Sequence, residues 1–124
     1  MVQAANLSEK DETVVWMMRI TDKEYKIDDR NEFQYSIETG ISDIESGKEK
    51  YLVLTPSKPV CGTAYLKLSL GKAILPGTFI LEAGKEDTDT KVEKISGDDA
   101  ECIKLFTDFF EGWGIKTDDW NKVY

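Results

Sequence analysis

The sequence predicts an α+β domain, an antiparallel sheet of about five strands with two helices packed on it, in the order β-β-α-β-β-β-β-α. Three patterns carry that prediction. Phe33, Ile37, Ile41 and Ile44 recur at helical spacing; short β-rich runs follow one another from Tyr51 to Ile95; and Cys102, Ile103, Phe106, Phe109, Phe110 and Trp113 form a second helical stripe. At 124 residues, 40% hydrophobic and 32% charged, the chain can bury one core without metals or disulfides, and it holds no apolar run long enough to cross a bilayer. Residues 1–12 read as a flexible N-terminal tail and 13–124 as a single domain. The tail lacks the basic start and apolar run of a secretory signal, so a soluble protein with a cytoplasmic location is expected.

The first strand is read from Thr13 to Thr21. It resembles a central strand, because Val15 and Met17 make one side apolar and Val14, Trp16 and Met18 the other. Asp22-Lys23 turns the chain into a short strand at Tyr25-Lys26-Ile27. Asp28 and Asp29 suit the N-cap of the first helix, Gly40 weakens its middle by about 1 kcal/mol relative to alanine, and Gly47 stops it. Strands are then expected at 51–55, 63–70, 78–83 and 91–95, joined as an antiparallel meander. In the second of these, Ala64, Leu66, Leu68 and Leu70 alternate with Thr63, Tyr65, Lys67 and Ser69, which predicts one buried face and one wet face. Pro76-Gly77 and the segment from Gly84 to Thr90 are read as loops. Asp98 and Glu101 have the spacing of a capping box at the start of the last helix, which Gly112 and Gly114 end.

Charge narrows the function. The net charge is −8, and the stretch from Glu86 to Asp119 carries −7 of it, with eleven acids against Lys91, Lys94, Lys104 and Lys116. Such a field repels a phosphate backbone and draws in a basic protein, so neither nucleic acid nor a membrane is expected as a partner. A purely solubilising surface is the plainer account of the same acids.

Catalytic chemistry finds little support. The chain contains no histidine, which removes the commonest general base at neutral pH and most zinc and iron sites. The glycines stand singly, without a phosphate-binding loop, and the two cysteines, Cys61 and Cys102, read as free thiols. Asp87-Thr-Asp89 and Asp118-Asp119 lack the ligand spacing of a calcium loop. No catalytic residue, metal ligand or cofactor is therefore assigned, and the protein is not expected to be an enzyme. Trp16 and Trp113 fit the core. Trp120, after two aspartates, is either a lid over the sheet or an exposed anchor for a partner.

The order of elements and the ending from Asp98 to Trp120 resemble immunity proteins of bacterial polymorphic toxin systems, in a family that includes immunity proteins against deaminase toxins. There a final helix with paired aromatics is followed by a short linker and a tryptophan, and Phe109, Phe110 and Trp120 hold the corresponding places. The linker here carries Gly112-Trp113-Gly114 and no proline. The resemblance implies a small non-catalytic inhibitor whose partner is a cognate basic toxin protein, bound so that the toxin's active site is covered. The residues expected to bind it are Glu86, Asp87, Asp89, Asp118, Asp119 and Trp120. The alternative is a phage-encoded structural, adaptor or anti-defence protein whose acidity mimics nucleic acid. A toxin gene next door favours the first and a phage module the second; oligomeric state is open.

Overall fold

The computed structural model describes residues 14–70, 78–86 and 90–123, so the expected tail at 1–12, Pro76-Gly77, Asp87 and Asp89 lie outside the described residues. Nine elements follow one another: β1 (Trp16–Ile20), β2 (Lys23–Ile27), α1 (Arg30–Glu45), β3 (Tyr51–Pro56), β4 (Thr63–Leu70), β5 (Phe79–Lys85), β6 (Lys91–Ser96), α2 (Asp99–Phe110) and β7 (Asn121–Val123). The class is α+β as expected, but the sheet has seven strands rather than about five, all antiparallel, in the spatial order β2-β1-β3-β4-β5-β6-β7. The member absent from the expected order of elements is β7, three residues that carry too little pattern to announce a strand and form one by pairing with β6.

The hairpin β1–β2 leaves β1 free on its other side, where β3 pairs with it. Helix α1 makes the crossover between β2 and β3, which run in the same direction with β1 between them, and so lies over one face of the sheet. Its N-terminus is closed from both directions. Asp29 Oδ1 accepts the Glu32 amide at 2.8 Å, which satisfies a group that the helix itself leaves open, and Glu32 Oε1 accepts the amide of Asp28, the residue before the cap, at 2.6 Å. Phe33, Ile37, Ile41 and Ile44 are buried as the stripe predicts. Gly40 serves close packing rather than fraying, since a Cβ there would lie 2.5 Å from Leu52 Cδ1 and 3.3 Å from Ile20 Cδ1.

Helix α2 covers the same face at the β6 end. Trp16 meets Phe109 edge-on at 5.2 Å, and Phe33 of α1 stacks on Phe110 at 4.3 Å, so aromatic contacts bind β1, α1 and α2 together. The capping box expected at Asp98 forms only by half. Asp98 Oδ1 accepts the Ala100 amide at 2.9 Å, but Glu101 turns to Lys94 Nζ at 2.6 Å and Ser96 Oγ at 2.5 Å because those side chains lie beneath it on β6.

Two expectations about sidedness are corrected. In β1, Trp16 and Met18 enter the core, whereas Met17 and Val15 lie on the opposite face, which no described element covers. β1 is apolar on both sides without being buried on both. In β4 the alternation breaks at its start, because a bulge between Thr63 and Tyr65 turns Thr63 inward to 0% exposure. Thr63 Oγ1 has no hydrogen-bond partner among the described residues. Thr63→Val keeps the shape and removes a buried hydroxyl that no described residue satisfies, so it is expected to stabilise the fold by about 1 kcal/mol in urea titration.

Candidate partner-binding surface

The residues expected to bind a partner do not form one patch. Glu86 follows β5 at the Lys91 end of the β5–β6 ladder, while Asp98 and Asp99 follow the other end of β6. A six-residue strand separates the two ends, a distance of about 20 Å. Asp118 and Asp119 are exposed in the turn that leads into β7. Asp119 acts on Lys94, which Glu101 of α2 also contacts, while Glu101, Asp99 and Asp98 act on Cys102.

Lys94 is committed to Glu101: their contact raises the ammonium pKa and, together with the Ser96 hydroxyl, lowers that of the carboxylate. Asp98, Asp99, Asp118 and Asp119 have no ion-pair partner among the described residues. Elsewhere the field is weaker than a sequence count implies, since Asp108 is paired with Lys104 at 2.7 Å and Glu111 with Arg30 from the first third of the chain.

The tryptophans divide: the lid reading holds for Trp120, while Trp113, read as core, is exposed. Trp120 is buried at 8% exposure and belongs to the core, so it is the lid and not a free anchor. Its amide donates to Thr117 O at 3.0 Å, and the resulting turn folds the tail back to add β7 to the sheet edge. Trp113 is 76% exposed. The physical reason is the helix end. Gly112 takes φ +86°, its amide donates to Phe109 O at 3.1 Å, and the Trp113 amide donates to Asp108 O at 3.0 Å, which closes α2 in a Schellman motif and moves Trp113 off the helical stripe. Gly114, at φ +78°, then passes so close to Cys61 that a Cβ would stand 2.6 Å from the Cys61 Cβ. Cys61 itself sits at φ +50°, in the turn whose Gly62 O accepts the Glu86 amide at 2.9 Å. Glu86 and Trp113 are thus tied to one turn, at the corner away from the α2 N-terminus.

Both cysteines are free thiols, as read from the sequence. Cys61 is exposed and Cys102 buried, with burial pushing the Cys102 thiol up to about 11. No group of three or more metal-ligating carboxylates or thiols occurs among the described residues, and no helix among them is long and apolar enough to cross a membrane. A shallow notch of about 140 Å³ lies between β1, β2 and α1, lined by Tyr25, Tyr35, Ser36 and Glu49 among others. Comparison with protein-family models, curated proteins and solved structures finds no match to this chain.

Proposed function

We propose that the chain is a non-catalytic, protein-binding inhibitor, an immunity protein that neutralises a cognate basic toxin domain by covering its active site. The observation that supports this reading is a set of exposed carboxylates, Asp98 and Asp99 at the start of α2 and Asp118 and Asp119 in the turn before β7, none of which has an ion-pair partner among the described residues, while Lys94 is held by Glu101. Unpaired surface charge of one sign accelerates encounter with a basic protein and selects against partners of like charge. Trp113 offers a large amphipathic side chain held out by a fixed helix end, the kind of residue enriched among binding hot spots.

Co-expression with the neighbouring reading frame tests the proposal. Rescue of growth is expected from the wild-type chain, and the purified pair should associate more weakly as salt rises. Reversing two of the charges in Asp118→Lys/Asp119→Lys is expected to weaken that association about thirtyfold while leaving the fold intact. A neighbouring product that is toxic but unaffected by this chain, or a complex indifferent to both salt and charge reversal, overturns the reading.

A further inference from the structure

The edge strand β2 sets its side chains against core residues of β1, with Tyr25 opposite Met18 and Lys23 opposite Ile20. Direct cross-strand partners share a face, so both side chains rise on the side that α1 covers. Among the described residues nothing continues the sheet beyond β2, so this row meets α1 on one side only, and the notch of about 140 Å³ opens between them. Tyr35, Ser36 and Asp43, about two turns apart along one side of α1, form the opposite wall. Glu49 completes it from the connection to β3, where its amide donates to Asp43 O at 3.0 Å and ties the two acids to one helix end.

The polar groups of this notch lack donors. Ser36 is only 6% exposed, and its hydroxyl lines the notch without a hydrogen bond to any described residue. The Glu49 side chain is 14% exposed, yet its ion-pair partner, Lys23 Nζ, stands 3.8 Å away, beyond hydrogen-bond reach, on a side chain that is 71% exposed. Asp43 has no ion-pair partner among the described residues. Withdrawing such acceptors from water costs free energy unless donors replace it.

We propose that the notch is a binding site for a guanidinium group, which donates to the Glu49 and Asp43 carboxylates and to the Ser36 hydroxyl and lies against the rings of Tyr25 and Tyr35. A wall of acceptors selects a ligand made only of donors. Guanidinium carries five N–H groups in one plane and no acceptor, stacks on aromatic faces, and is more weakly hydrated than an ammonium. Lys23 stands at the rim with most of its side chain in water, so it turns outward as the ligand enters. The volume is well below the roughly 300 Å³ at which sites for drug-sized ligands begin, and it suits one side-chain-sized group. That group belongs either to an arginine side chain of a protein or to a free small guanidinium compound.

Amide chemical-shift titration of the full chain tests this with two probes, n-propylguanidinium and the blocked peptide acetyl-Gly-Arg-Gly-amide, and with n-butylammonium as the control. Saturable shifts centred on Tyr25, Ser36 and Glu49 are expected, with the control binding about tenfold more weakly. Glu49→Gln is expected to weaken binding about tenfold and Ser36→Ala about threefold. Both replacements are close in size to the native residue, and unchanged shifts of the amides remote from the notch report an intact fold. Tighter binding of the peptide assigns a protein's arginine as the occupant, and tighter binding of n-propylguanidinium a free compound. Absence of saturation with either probe overturns the proposal, as do shifts that sodium chloride reproduces at matched ionic strength, a control that binds as tightly as the probes, or binding that survives both substitutions unchanged. β2 lies at the opposite edge of the sheet from β7, so none of these outcomes depends on a toxin.

Discussion

Phe109→Ala is expected to lower the stability of the fold by about 3–5 kcal/mol, measured as a fall in the urea midpoint without a change in slope. Phe109 is wholly buried and meets Trp16 edge-on, so its removal opens a cavity beneath the contact through which α2 is held against β1. The neighbouring Trp16–Phe110 and Phe33–Phe110 contacts limit how far the site can collapse, which keeps the cost in the upper range for such truncations. A domain of this size has about 5–15 kcal/mol in all, so the variant should approach the threshold of folding. Trp113→Ala provides the contrast. It falls on the same stripe in the sequence, yet its side chain is exposed, and the expected change is within about 0.5 kcal/mol. A cost above about 2 kcal/mol for Trp113→Ala, or below about 1 for Phe109→Ala, contradicts the packing described for this helix.

Gly40→Val is the second large effect, with an expected loss of about 2–3 kcal/mol by the same measurement. Helix propensity alone argues the other way, since glycine costs about 1 kcal/mol against alanine in a helix interior. Contact decides the sign. A Cβ at this position meets Leu52 Cδ1 at 2.5 Å, and Leu52 is fully buried between α1 and the sheet, so it has no solvent into which to retreat. Valine adds two more methyl groups to that crowded point. Shortening the neighbour in a Gly40→Val/Leu52→Val double variant should recover part of the loss, giving a double-mutant coupling of opposite sign to the single effects. If Gly40→Val proves neutral or stabilising, α1 does not approach the sheet as closely as the Gly40–Leu52 contact requires.

The candidate site was only partly legible in the chain. The acids and the missing histidine are matters of composition, and Asp118 and Asp119 are exposed as the sequence suggested. That Asp119 acts on Lys94, which Glu101 of α2 also contacts, depends on α2 and the tail meeting at β6, a contact between segments whose sequence separation hides it. Glu86 belongs to the far end of the same hairpin, and Arg30 neutralises Glu111 from the other end of the chain. Counting charge along a segment cannot detect either.

Periodicity by itself determined the two helices, the β-rich runs and most of the core, because one-sided burial imposes a spacing of 3.6 on a helix and 2 on a strand wherever the chain is regular. Tertiary structure alone decided where that spacing is interrupted. A Schellman turn carried Trp113 into solvent, a returning tail buried Trp120 and made a seventh strand, a bulge drew Thr63 inward, and close packing gave Gly40 its purpose. Each depends on one hydrogen bond or one contact with a residue distant in sequence, and such pairwise geometry leaves no repeating pattern for the sequence to display.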